Sequence, residues 1–163
     1  MNETIVFDLS TEGLDPLKHR IIGITTKTQV EEEIFTDREE SKILQEFWNY
    51  LKANNFKKII GFNSQQFDIP FLILRSMKHR IPMHPLNSID LRKILTIKTG
   101  KKDGTLQELA SFIGMTFEEN GYHKMHMSLL WEAKHLKNLR EYLLRDVKIT
   151  WQLYKHIQEA GLI

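Results

Sequence analysis

Three aspartates of this chain stand against apolar runs. Asp8 follows Ile5, Val6 and Phe7 in IVFDLSTEGLDP, Asp68 lies just beyond KKIIGFN, and Asp146 sits in EYLLRDVKITWQL, four residues after Tyr142. A carboxylate taken out of water is costly unless it is paired or hydrogen-bonded, so acids at such places need partners. Brought together, three carboxylates repel one another, and a divalent cation with oxygen ligands is the usual counter-charge. Two such ions about 3.5–4 Å apart clamp the attacking and leaving oxygens of a phosphodiester displacement. Tyr142 shares a helix face with Asp146, where a phenol and a carboxylate can jointly orient a water and hold a metal. Neither a glycine-rich phosphate loop nor a nucleophilic-serine motif competes with this chemistry. Each acid also has a plainer reading: a turn or cap for Asp8, an N-cap for Asp68, and an exposed helical acid paired with a base for Asp146.

The elements that must position these groups follow from periodicity. TIVFDLS reads as a buried strand, and after a turn carrying Gly13 and Pro16, RIIGITTKT and VEEEIFT complete an antiparallel meander, with a hairpin around residues 27–29. Residues 38–54 place Ile43, Leu44, Phe47, Trp48 and Leu51 at helical spacing. KKIIGFN is a short buried strand ending at Gly61, and a helix begins near Pro70, where proline fits a first turn. LNSIDLRKIL is a strand or loop leading into a helix. TLQELASFIGM is a short helix, with Thr105 and Glu108 spaced as a capping box and Gly114 near its end. Residues 118–127 read as loop, and about 138–160 as a long amphipathic helix. Strands first, then helix, strand and helices imply one α/β domain with a mixed sheet over 1–163.

The bulk composition is permissive. The 163 residues are 41% hydrophobic with a formal charge of +2, which suits a domain with a real core and is compatible with a polyanionic partner. The absence of cysteine excludes disulfides and thiolate metal sites. No apolar run approaches the roughly 20 residues that span a bilayer, and MNETIVFDL lacks the features of a signal peptide. The expectation is a cytoplasmic, intracellular protein with no membrane partner.

With the three stretches in hand, the chain resembles the DEDD, or DnaQ-like, superfamily of 3′–5′ exonucleases, which have the ribonuclease H-like fold. The resemblance is greatest to the exonuclease domains of family B DNA polymerases and their stand-alone relatives. FDLSTEGLDP resembles the first exonuclease motif, usually FDxETTGLDP; GFNSQQFDIPFL resembles the second, with Asn63 and Asp68 in register; YLLRD resembles the third. The histidine type of the superfamily carries His five residues before the last aspartate, where this chain has Glu141. The tyrosine type carries Tyr four residues before, as Tyr142 does. IDLRKIL and TLQELASFIGM resemble the segment between the second and third motifs. The resemblance implies a ribonuclease H-like mixed sheet, an antiparallel meander plus parallel strands, flanked by helices. It also implies two Mg2+ or Mn2+ ions held by Asp8, Asp68 and Asp146, a single-stranded nucleic acid 3′ end as substrate with DNA favoured, and service to a polymerase, helicase or other repair or replication partner.

One position departs from the motif. The second acid of the family falls on Ser10, which shares the strand face of Asp8 but brings no charge; Glu12, where threonine is usual, keeps the same parity. Three accounts stand open. Glu12 reaches back as the missing ligand of an active nuclease; Ser10 or a water fills the shell and one metal binds weakly; or the domain only binds nucleic acid or a protein. A ribonuclease H-type endonuclease is a further reading. The resemblance also implies substrate contacts from Ser10, Thr11 and Gly13, a wedge at Leu14, a hydrogen bond from Asn63 and base stacking by Phe67; the plainer alternative for Leu14 and Phe67 is core packing. Lysines in residues 98–104 and basic groups in 134–140 either track phosphates or form a solvated face. His123 and His126 fit a loop near the substrate better than a transition-metal site, which would need a third ligand.

Overall fold

The computed structural model describes residues 4–117 and 136–163, and within the last helix the side chains from residue 140 onward. The chain runs β1 (Thr4–Thr11), β2 (Ile21–Lys27), β3 (Glu32–Phe35), α1 (Glu40–Ala53), β4 (Lys58–Gly61), α2 (Asp68–Lys78), β5 (Asn87–Asp90), α3 (Leu91–Thr99), α4 (Leu106–Phe112) and α5 (Leu136–Glu159). The strands form one mixed sheet in the order β3-β2-β1-β4-β5. β2 is antiparallel to both β1 and β3, whereas β4 is parallel to β1 and to β5. The meander and the parallel half thus match the fold class expected from the sequence. The hairpin lies slightly later than expected: β2 extends through Lys27, and the Thr28 N–H donates to the Glu31 carbonyl across the turn.

β1 is buried on both faces, and its alternation divides the molecule. Ile5, Phe7 and Leu9 pack with α1 and α2 residues, among them Ile43, Leu44, Phe47, Leu51, Phe71 and Leu72. Val6 joins Ile60, Leu91, Leu106, Leu144, Val147 and Leu153 on the other side, so α3, α4 and α5 cover that face. The central strand therefore reads as a continuous apolar block, and period-two alternation puts Asp8 and Ser10 on Val6's side, toward α5.

Buried polar groups fix how the helices sit. The Trp48 indole N–H donates to Ser76 Oγ at 2.9 Å, joining α1 to α2. Glu40, 5% exposed at the start of α1, accepts the Ile21 N–H at 2.7 Å. It also takes a forked pair from Arg75, Nε to Oε1 at 2.8 Å and Nη2 to Oε2 at 2.6 Å. His79 Nε2 lies 2.6 Å from Oε2 of the same carboxylate. Arg75 Nη1 also donates to the Pro16 carbonyl at 3.2 Å, so the long turn between β1 and β2 is anchored to α2.

Candidate active site

The place of interest lies beyond the carboxyl ends of the parallel strands β1 and β4, beside the point where the sheet changes from parallel to antiparallel pairing, which is where open α/β sheets characteristically receive ligands. β4 stops at Gly61. A Cβ there would lie 2.5 Å from Ser64 Cβ and 3.1 Å from the Phe7 ring, so only glycine lets the chain turn so tightly under β1. Asn63 then adopts φ 58°, a left-handed conformation that asparagine tolerates better than most residues.

Asp90, at the end of β5, holds this turn. Its Oδ1 accepts the N–H groups of Asn63 at 2.9 Å and Arg92 at 3.0 Å, and Oδ2 accepts that of Gln65 at 3.1 Å. Asp90 is also the N-cap of α3. The sequence reading did not single it out. The available signal was an Asp directly before an apolar helical run; the amides 25 and 27 residues earlier carry none.

Asp68 is not the N-cap of α2, as its plainer reading had it. Phe67 occupies that place and Asp68 is the first helical residue. The Asp68 side chain instead turns to the sheet, where Oδ1 accepts the Leu9 N–H at 3.2 Å. Paired residues of β1 and β4 end at Val6 and Ile60, so Leu9 lies past the end of the neighbouring strand, and a buried amide there needs an outside acceptor. Asp68, 6% exposed, supplies it and thereby comes beside the peptide that follows Asp8.

Asp146 arrives from the other face. Ser10 pairs with Gly23, and a Cβ on Gly23 would sit 3.3 Å from Leu143 Cδ2; the glycine lets α5 rest on the strands. Val147 packs in the cluster of Val6. The turn Leu143–Val147, which carries Asp146, therefore packs on the sheet face that Val6 shares. Asp146 is 7% exposed, and its Oδ1 accepts from Gln107 Nε2 and from Arg145 Nε, each at 3.1 Å. The Arg145 guanidinium lies 5.4 Å from the centre of the Tyr142 ring, and Tyr142 itself is buried.

Asp68 thus stands beside the Asp8–Leu9 peptide, and Asp146 lies on α5, which packs against β1 and β2. Among the described residues, however, no three His, Asp or Glu side chains form a group that could hold a metal ion as they stand. Ser10 is buried at 4% exposure on the face of Asp8. Glu12 has another partner: its Oε1 takes the Arg20 Nε donor at 2.7 Å at the mouth of the β1–β2 turn, and Arg20 Nη1 donates to the Arg38 carbonyl at 2.6 Å. Neither Arg20 nor Arg145 was among the sequence-selected residues, because neither partnership follows a motif spacing.

The β1–β2 turn is built to hold an apolar tip outward. Thr11 Oγ1 donates to the Gly13 carbonyl at 2.7 Å, and a Cβ on Gly13 would meet the His19 ring at 2.6 Å. Leu14 is 83% exposed, so core packing does not explain it. Phe67 is partly buried against the α1–α2 core, with its ring 5.2 Å from that of Phe71; packing accounts for part of its surface. Lys98, Lys101 and Lys102 are exposed around the α3 C-terminus, where Gly100 supplies the left-handed cap at φ 72°. His123 and His126 lie outside the described residues, as do the side chains of residues 134–139.

Similarity to known proteins agrees with this architecture. A family model, RNase_H_2 of the RNase_H superfamily, matches residues 5–158. An uncharacterized protein of Methanocaldococcus jannaschii is 33% identical, over 97% of both chains. A DNA polymerase of Archaeoglobus fulgidus is 26% identical over 94% of this chain but only 22% of its own length. The structure of the family B DNA polymerase from the hyperthermophilic archaeon Pyrobaculum calidifontis superposes with a TM-score of 0.77 at 22% identity, covering 95% of this chain and 24% of that one. The chain therefore spans about a quarter or less of the polymerases it matches. No described helix is long and apolar enough to cross a membrane.

Proposed function

The chain belongs to the RNase_H superfamily, and from that premise we propose that it is a divalent-metal-dependent nuclease of the tyrosine DEDD type, removing nucleotides from the 3′ end of single-stranded nucleic acid, with DNA favoured. The observation that carries this reading is the hydrogen bond from the Leu9 amide to Asp68, beside Asp8; in the proposal Asp146 joins them from α5. Similarity to two DNA polymerases supports a nucleic-acid substrate, and a polymerase, helicase or other replication or repair partner belongs to the same proposal.

The donors at the site are carboxylate and hydroxyl oxygens, with no cysteine in the chain. They fit a hard cation such as Mg2+ or Mn2+ in kind. Asp8 and Asp68 are the residues to hold it, with Asp146 contributing from α5. When bound, such an ion supplies Lewis-acid activation of water and neutralises phosphate charge. The chain's own groups do the rest. Tyr142, one turn before Asp146, orients the attacking water. Leu14 is exposed where it can wedge against a terminal base, Asn63 bonds near the scissile nucleotide, and the free surface of Phe67 stacks on a base, a contact tolerant of sequence. Ser10, Thr11 and Gly13 shape the wall between the acids and the turn. Glu12 is retained as the candidate substitute ligand; its hydrogen bond from Arg20 is the contact it would give up to reach an ion, and loss of cleavage in Glu12→Gln tests it.

The test is degradation of 3′-labelled single-stranded DNA and RNA with Mg2+ or Mn2+. The wild type shortens the strand from its 3′ end and leaves a circular strand intact; cleavage of the circle would indicate an endonuclease. Asp8→Ala abolishes shortening, while Tyr142→Phe slows it by roughly 10²-fold or less and leaves Mn2+ binding in place. A second reading, a nuclease-fold module that only binds nucleic acid or a protein, is favoured by Ser10 and by the pairing of Asp146 with Arg145. Retention of labelled strand on the protein without any shortening would select it.

A further inference from the structure

The Glu40–Arg75 pair reaches beyond the joint of α1 and α2. We propose that Arg75 is a positioning residue for the nucleic acid: it fixes the tip of the β1–β2 turn, so that Leu14 and Leu17 meet the terminal base of a strand and tell an end from an interior position. The nature of the ligand rests on the nuclease reading, but the role of Arg75 is read out by binding rather than by cleavage.

Arg75 has more donors than the joint requires. Its fork on Glu40 uses Nε and Nη2, and the two side chains are nearly sealed from solvent, 5% and 4% exposed. The remaining Nη1 turns to the loop and donates to the Pro16 carbonyl at 3.2 Å. Glu40 Oε1 takes the Ile21 N–H at 2.7 Å, where the turn enters β2. One buried pair thus holds the turn at Pro16 and at Ile21. Nearer β1, the Glu12 N–H donates to the Arg20 carbonyl at 3.0 Å. Among these ties the turn lifts two leucines off the surface, Leu14 at 83% and Leu17 at 77% exposure, and Leu17 adjoins the gripped carbonyl. The turn follows β1 directly, close along the chain to the Leu9 amide that Asp68 holds. An apolar side chain enters between two stacked bases only by unstacking them, which is costly, whereas a terminal base offers a bare face. That discrimination needs a tip already in place, because a loose turn must be ordered on binding, which lowers affinity.

Fluorescence anisotropy of the full chain with a linear single-stranded DNA and with its circularised form, in EDTA so that neither is cut, tests this. The wild type binds the linear strand more tightly than the circle. Arg75→Lys, with folding checked by circular dichroism, keeps a cation on Glu40, but an ammonium lacks the planar fork that also reaches Pro16. It lowers the affinity for the linear strand roughly fivefold and leaves that for the circle unchanged, whereas a general loss of structure lowers both. In a Leu14→Ala, Leu17→Ala background the same substitution makes no further difference. Pro16→Gly leaves the ion pair intact and loosens the backbone at the gripped carbonyl; it lowers the linear affinity in the same sense, and it decides the matter should Arg75→Lys not fold. Equal binding of the two strands by the wild type, or binding of neither, would overturn the proposal, as would an undiminished end preference in folded Arg75→Lys or in Pro16→Gly. Cleavage stands apart. A chain that shortens labelled strands but keeps its end preference in both variants retains the nuclease reading and loses this proposal, and a chain whose preference depends on Arg75 yet leaves every labelled strand intact does the reverse.

Discussion

Asp68 combines two duties that a single substitution can separate. Its carboxylate satisfies the Leu9 amide past the end of β4 and brings charge beside Asp8. Asp68→Asn retains an acceptor oxygen, so its unfolding free energy from urea melts should stay within about 1 kcal/mol of wild type, while Mn2+ affinity falls. Asp68→Ala leaves a buried N–H without that acceptor and should cost about 1–3 kcal/mol. Equal stability of both variants would mean that the amide finds another acceptor. The contrast also marks what was legible in the sequence at this scale. Asp8, Asp68 and Asp146 stood out because apolar runs and motif spacing point at them. Asp90, Arg145 and Arg20 did not, because their roles are set by groups brought near only by folding.

At the level of elements, local chemistry was the readable part. The capping box of α4 is present with both of its bonds, Thr105 Oγ1 accepting the Glu108 N–H at 3.1 Å and Glu108 Oε2 the Thr105 N–H at 2.6 Å, because all its parts lie within four residues. The helices over residues 38–54 and 138–160 followed from apolar spacing, and their observed bounds differ by two residues at the N-terminal ends and one at the C-terminal ends. The joint between α1 and α2 was not readable: Glu40 looks like an ordinary first-turn acid, and its partner Arg75 is 35 residues away. Burial alone would raise the Glu40 carboxyl, but the bonds from Arg75, Ile21 and His79 outweigh it and hold the group below the usual glutamate range. A lowered folded-state value means that the stabilisation is complete above the ordinary value of about 4.3 and is lost as pH falls through the lowered one. Glu40→Ala should cost about 3–5 kcal/mol near neutral pH, since it strands a buried guanidinium. In urea melts, the gap between wild type and Glu40→Gln should narrow as pH drops below the glutamate range. A constant gap down to strongly acidic pH would show that the pair does not control this joint.

For the molecule as a whole, the alternation of β1 decides the layout. Odd residues face α1 and α2, even residues face α3 to α5, and the carboxyl end of β1 lies between the two layers. That much follows from a seven-residue stretch; strand order and the turn of α5 over Gly23 required the fold. Asp90 has a consequence for motion. One carboxylate grips amides on both sides of it, Asn63 and Gln65 after β4, Arg92 and Lys93 at the head of α3. These four protons cannot be freed one at a time without weakening the others' acceptor, so hydrogen–deuterium exchange should release them as a group, and Asp90→Ala should speed all four together. The turn after β4 and the third helix would then breathe in step, as a single stiff flap hinged on one side chain.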